Sequence, residues 1–313
     1  MSTLIDLVSL PFVFLSAIVM KFYRRRGAKK MPLNTRLLQS IGVFPIRNHY
    51  YEPQFDHRQL KSLREPRHLP GLDFDLNRQL ALLDKLNYQR DFQTFLASQD
   101  VLPVDMRFIM DNGSFGPGDA EFLFNLLRYL KPVRVVEIGC GSSTKIISAA
   151  LQLNKAEQSF SPSHTCIEPY EQPWLDKFPN IRIERRKIEE MDLDWLEKLS
   201  AGDLLFIDSS HIIRPQGDVL HEYLSIIPSL ASGVFVHVHD IFSPRDYPDA
   251  WIRENISFWN EQYLLEASLS NNAGYEIVAA LNYLKHASYD SLKRICPSLR
   301  PESEPGSFYF RTR

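Results

Sequence analysis

Hydrophobic positions along this chain change period several times. From Leu7 to Met20 the run is continuous and uncharged, and with Leu4 and Ile5 it extends, across Asp6, to about Tyr23. A helix rises 1.5 Å per residue and about 20 residues cross a bilayer core, so this run is long enough to span. Lys21, Arg24, Arg25, Arg26, Lys29 and Lys30 follow with no acid among them. A cleaved signal peptide carries its positive charge before the apolar run and a small-residue site after it, whereas here the charge follows. Residues 1–30 therefore read as a single-pass transmembrane anchor with a basic collar, in preference to a buried or interfacial helix. The collar places residues 21 onward in the cytoplasm, against anionic head groups.

Residues 31–75 are irregular and rich in Pro, Arg and Tyr, and 31–118 together read as a helical and irregular cap and connector. Leu80, Leu82, Leu83, Leu86, Phe92 and Phe95 sit at helical spacing and predict one helix over 76–98. A stronger helix is predicted over 119–130, with Asp119 as its N-cap and Pro132 after its end. From there short apolar runs alternate with helical periods. Strands are predicted over 134–138, 165–168, 180–184, 204–208, 233–238, 275–281 and 307–311. Helices are predicted over 143–153, 218–229 and 250–269. Strands alternating with helices argue for an α/β fold: a doubly wound, mostly parallel sheet with right-handed crossovers, occupying 119–313.

Composition narrows the class. In 313 residues, 36 Lys and Arg balance 38 Asp and Glu, which argues against nucleic-acid binding through a broad basic surface. Three cysteines without a C-x-x-C pair exclude a disulfide scaffold and a zinc knuckle. No sequence feature fixes the oligomeric state.

In a doubly wound sheet the ligand lies at the carboxyl ends of the strands. The first strand ends in Glu137-Ile138-Gly139-Cys140-Gly141-Ser142-Ser143-Thr144, and a helix follows. The glycines permit a tight turn and close backbone approach, and the helix N-terminus offers free N–H groups. Thr144 stands where a dinucleotide fingerprint has its third Gly, which argues against a nicotinamide-dependent oxidoreductase. The next strand ends in Glu168, a carboxylate placed for the hydroxyls of a ribose. Asp208 and Asp240 each end a strand, with His211 and His239 beside them. Two such carboxylates plus His either hold a divalent cation as a Lewis acid or orient a His that takes a proton.

In order and spacing, VVEIGCGSST, CIEP, GDLLFIDSSH and GVFVHVHDIF resemble the class I S-adenosylmethionine-dependent methyltransferases. The likeness runs from 119 to 313 and is nearest to the bacterial group with Asp-x-x-His after the fourth strand and His-Asp after the fifth. It implies a seven-stranded Rossmann-like sheet with an antiparallel last strand, and S-adenosylmethionine as cofactor. By resemblance Glu137, Gly139, Cys140, Gly141, Ser142 and Ser143 form the cofactor loop and Glu168 takes the ribose. Ile188 and Glu189 hold the adenine, Ser114 lies in a segment that closes over the cofactor, and Asp208 also borders it. Asp208, His211, His239 and Asp240 are the catalytic set. Some relatives of this fold hold a metal such as Mg2+ with Asp208- and Asp240-type carboxylates, but the position of their third ligand is Ile241 here. His237 reads as a core histidine. The loop over 243–251 and the helix with Trp259, Asn260, Glu261 and Tyr263 occupy the acceptor side. The expected activity is methyl transfer to a hydroxyl of a saccharide, lipid-linked or other small acceptor near the membrane. A catalytically silent cofactor-binding or scaffold protein of the same fold is the remaining alternative.

Overall fold

The computed structural model describes residues 2–170 and 172–313. The chain divides into two compact units, Met1–Lys61 and Ser62–Arg313.

The first unit begins with α1 (Ser2–Arg26). Within Thr3–Arg26 an 18-residue window has a mean hydropathy of 2.2, and none of that window is buried. Near its end Tyr23 is buried, its hydroxyl 2.6 Å from Thr35 Oγ1. The irregular reading of 31–75 needs correction here, because Pro32–Ile41 forms helix α2. Pro32 starts it, at a position whose N–H has no helical partner to lose, and Gly42 stops it in a left-handed conformation (φ 78°).

The second unit is built on a seven-stranded sheet. The strands are β1 (Arg134–Ile138), β2 (Ser163–Ile167), β3 (Ile181–Glu184), β4 (Leu204–Ile207), β5 (Phe235–Val238), β6 (Tyr275–Ala280) and β7 (Phe308–Thr312). Their order is β3-β2-β1-β4-β5-β7-β6, parallel from β3 to β5, with β7 antiparallel to both β5 and β6. This is the expected doubly wound sheet with its antiparallel last strand. The order reverses between β1 and β4, so the carboxyl ends of these two strands open the crevice in which ligands bind.

Both faces of the sheet are covered, which explains why the central strands read as unbroken apolar runs. One face packs Val135, Leu204 and Phe206 against α5 (Asp119–Leu130), α6 (Ser142–Glu157) and the helices before them. The other packs Val136, Leu205 and Val236 against Val219, Tyr223 and Ile226, where α7 (Asp218–His221) continues into a π-helical turn, and against α8 (Glu261–Leu269).

Three predicted helices change. The one over 76–98 is two helices, α3 (Leu76–Leu83) and α4 (Gln89–Ala97). The break lets Leu86 and Phe92 both bury, and the Tyr88 N–H donates to Asn125 Oδ1 on α5. The N-cap of α5 is Gly118, and Asp119 is its first residue. The predicted helix over 250–269 keeps only a π-helical turn (Ala250–Glu254) before α8 begins at Glu261. The interruption is tertiary in origin. The backbone N–H groups of Asn260 and Glu261 both donate to the His211 carbonyl, and Asn260 Oδ1 accepts from the Ile213 N–H.

Candidate active site

The glycine loop after β1 passes close under the end of β4. Gly139 has φ 78°, and a Cβ there would lie 1.9 Å from the Asp208 carbonyl oxygen, so only glycine fits. Asp208 N–H donates to Ile138 O and Gly139 N–H to Ile167 O, tying three strand ends together.

Glu137 lies beneath this loop and is fully buried. Its Oε1 accepts from Ser143 Oγ (2.7 Å) and Thr144 Oγ1 (3.0 Å), and its Oε2 meets His164 Nε2 (2.8 Å). It braces the first turn of α6 against β2. The Cys140 thiol packs with Cys166 and Leu175. Gly141 and Ser142 are half-buried at the start of α6.

In front of the loop a cleft of about 480 Å3 is lined by Gly139, Glu168, Ile188, Glu189 and Asp208, among others. Five positions singled out in the sequence thus converge on one cavity. The Glu168 carboxylate accepts from the N–H groups of Cys140 (3.1 Å) and Tyr170 (2.9 Å). Each oxygen keeps a second lone pair for a ligand hydroxyl. The backbone cradle at Gly139, the carboxylate acceptor at Glu168 and the apolar Ile188 fit a nucleoside-bearing cofactor.

A second cavity of about 370 Å3 is lined by Ser114, Asp119, His239, Asp240, Phe242 and Trp251, among others. Ser114 therefore faces this space. Asp208 belongs to the first cavity and His239 and Asp240 to the second, and the three groups meet at the boundary.

There the side chains form a closed ring. His211 Nε2 lies 3.3 Å from Asp208 Oδ1 and 3.5 Å from Asp240 Oδ2. His239 Nδ1 lies 3.6 Å from Asp208 Oδ2 and 3.5 Å from Asp240 Oδ1. Two imidazoles thus each bridge the same two carboxylates. His211 (φ 60°) and Asp240 (φ 57°) both hold left-handed backbone, a conformation that costs energy in non-glycine residues and concentrates at functional sites.

Burial would push both imidazoles toward neutrality, but their carboxylate neighbours win. Asp208 and Glu261 hold His211 well above its ordinary value, and Asp240 and Asp208 do the same for His239. Asp208 resists burial through the two imidazoles and stays well below the usual carboxylate range. Burial, with Asp208 adding repulsion, pushes Asp240 up to about 6.

Sequence reasoning gave no role in this ring to two further acids. Glu261, fully buried at the first turn of α8, takes His211 Nδ1 at 2.8 Å and the Tyr223 hydroxyl at 3.0 Å. Asp119 lies 3.7 Å from His239 Nε2 and accepts the N–H groups of Gly306 and Ser307. The available signal was an acid at the start of an otherwise apolar helix. His237 is in the core, bonded to Ser307 Oγ (2.9 Å) and stacked on Phe206 (4.2 Å). Of the acceptor-side aromatics, Trp251 lines the second cavity, Trp259 packs on His211 (4.4 Å), and Tyr263 turns to Arg67. Ile241 is buried and offers no ligand atom.

Residues 136–241 match the model of a family described as a methyltransferase domain. An uncharacterised protein from Archaeoglobus fulgidus is 24% identical over 171 residues, covering 51% of this chain and 75% of its own. Among solved structures, the plantazolicin methyltransferase, bound to a desmethyl analogue and S-adenosylhomocysteine, is 14% identical at a TM-score of 0.38 and covers 76% of this chain and 98% of its own. The O-methyltransferase from Bacillus cereus, bound to S-adenosylhomocysteine, is 14% identical at a TM-score of 0.33 and covers 75% and 90%. The family match falls on the segment from β1 to the end of β5, which carries the glycine loop, Glu168, Asp208 and Asp240. Residues 136–241 are thus similar to a methyltransferase domain, and they lie in a sheet with the doubly wound strand order and antiparallel last strand expected of it.

Proposed function

We propose that this protein is an O-methyltransferase that acts on a hydroxyl of a saccharide or other small acceptor held near a membrane. The observation carrying this reading is the ring of His211, His239, Asp208 and Asp240 between two cavities. When bound, the cofactor supplies a methyl group on a positively charged sulfonium. Gly139, Glu168, Ile188 and Glu189 would hold it in the first cavity, and the acceptor takes the second, beside Trp251 and Phe242. An alcohol loses its proton as its oxygen is methylated, so the site needs a proton acceptor. Glu261 fixes the His211 ring by taking Nδ1–H, which aims Nε2 at the boundary. A positive charge held in the first cavity, which Asp208 lines, would weaken the interaction that keeps His211 protonated and leave Nε2 as the acceptor. Positioning the two reactants across this boundary supplies the remaining rate acceleration.

A second reading rests on one observation: single ligand atoms of Asp208, His211 and Asp240 lie within 4.8 Å of one another. His211 takes the place that Ile241 leaves open in a metal-holding set, and Glu261 then serves as the outer carboxylate that orients a ligating His. On this reading Asp208, His211 and Asp240 would hold a divalent cation, which would polarise the acceptor hydroxyl. On the same proposal the apolar α1 is a membrane anchor, and the basic residues at its end favour the cytoplasmic side for the catalytic unit.

The test is to incubate the purified full chain with methyl-labelled S-adenosylmethionine and a membrane lipid and glycan extract, with and without exhaustive chelation. A labelled, hydroxyl-linked product supports the proposal. S-adenosylhomocysteine binding with no transfer to any acceptor overturns it in favour of a silent protein of this fold. Activity unchanged by chelation removes the cation reading.

A further inference from the structure

In the first unit, α2 presents an apolar stripe that no described residue covers. Leu33, Leu37 and Ile41 recur at a spacing of four and are 76%, 57% and 64% exposed. Val43 continues the stripe at 55% exposed. The other side of the helix is fastened: Leu38 is buried, Thr35 Oγ1 donates to the carbonyls of Ala28 (2.9 Å) and Met31 (3.0 Å), and the Tyr23 hydroxyl meets Thr35 Oγ1. The apolar face is thus held outward by the packing of the polar one.

We infer that α2 lies on an anionic lipid surface, its Leu33–Leu37–Ile41 stripe sunk into the boundary between head groups and acyl chains. Two observations select lipid as the occupant. The first is continuity. Only residues 27–31 separate α1 from α2, and five residues reach at most about 18 Å. If the basic end of α1 sits at the interface, α2 is within that distance of it, and the Tyr23–Thr35 bond holds it closer. The second is charge. The segment 21–36 carries Lys21, Arg24, Arg25, Arg26, Lys29, Lys30 and Arg36 and no acid. Of these Arg24 is taken by Glu52 and Arg26 lies over the Phe22 ring, and the segment that carries them runs directly into the stripe. Cations beside an apolar helical face are the composition of a helix that lies in a membrane interface. Such a helix gives the chain a second hold on the membrane and orients it about the anchor. The inference rests on the anchor reading above, and the test separates the two.

The full chain, reconstituted into vesicles of phosphatidylcholine and phosphatidylglycerol, carries a fluorophore on Leu37→Cys or, as the polar-face control, on Gln39→Cys. The three native cysteines are buried, which favours labelling at the new site. Flotation with the vesicles reports the anchor. Brominated lipid is expected to quench the label at position 37 several-fold more than at 39, and aqueous iodide the reverse. Equal iodide quenching at both positions in floated protein overturns the inference and leaves the anchor standing. Protection at 37 from both quenchers also overturns it, because protein then covers the stripe. Failure to float overturns the anchor reading and this inference with it.

Discussion

Substituting Glu261→Gln tests the proposed proton path, because it keeps the volume at a fully buried position and removes only the charge. The carboxylate takes His211 Nδ1 at 2.8 Å, and a charged hydrogen bond contributes about 1.5–3 kcal/mol against about 0.5–1.5 for a neutral one. The difference of roughly 1–2 kcal/mol corresponds to about one pKa unit. Glu261 is one of the two acids that hold His211 up, so His211 falls in the variant. The sign follows: a base works when deprotonated, so lowering its pKa moves the acidic limb of the pH–rate profile to lower pH, by about one unit. The amide can also present its own N–H to Nδ1 and so reverse the tautomer. The plateau rate then drops by up to the whole contribution of a general base, about 10²–10⁴-fold. If His211 is instead a metal ligand, loss of an outer carboxylate costs about 10–100-fold in metal affinity, and added cation restores the rate. The assay is kcat against pH for labelled-methyl transfer, with S-adenosylhomocysteine binding by calorimetry as the control for an intact cofactor cleft. Unchanged kcat and an unshifted acidic limb, in a variant that binds S-adenosylhomocysteine normally, refute the role of the Glu261–His211 pair.

Three further substitutions separate cofactor binding from stability. Gly139→Ala places a methyl 1.9 Å from the Asp208 carbonyl in a left-handed conformation, which alone costs about 1–2 kcal/mol, so calorimetry should show loss of S-adenosylhomocysteine binding together with a lowered Tm. Glu168→Gln removes a charged acceptor and should weaken S-adenosylhomocysteine by about 10–100-fold, equivalent to a charged hydrogen bond of about 1.5–3 kcal/mol, with a smaller change in Tm. Arg128→Met strips a buried guanidinium from Asp91, Glu157 and Asn154, where α4, α5 and α6 meet. The two acids are partly exposed and rehydrate, so the expected cost is about 1–3 kcal/mol, read as a lower thermal midpoint with kcat unchanged.

The predictability of this chain follows from where each signal is local. β1, β4 and α5 were readable because both sheet faces bury them: LLFI is apolar throughout, and the period of α5 is unbroken. The strand-end residues were readable because the crevice of a doubly wound sheet lies at the carboxyl ends of its strands, so Gly139, Glu168, Asp208 and Asp240 followed from the strands before them. Glu137 follows the same strand logic, yet its carboxylate turns inward to Ser143, Thr144 and His164, because pleating sends neighbouring side chains to opposite faces. What stayed hidden is non-local. Nothing near Glu261 in the sequence announces His211, 50 positions away, and the same contact ends the predicted long helix, since α8 must start where Asn260 and Glu261 can cap the His211 carbonyl. The misread helix and the missed carboxylate are therefore one event. The chain breaks a helix to deliver a buried acid to one of the two imidazoles that bridge the strand-end carboxylates, and His211 accepts left-handed backbone in the process. A feature that overrides local preference at both ends of a contact is held by the surrounding fold, and it makes the Glu261–His211 pair the place at which the proposed proton path is tested.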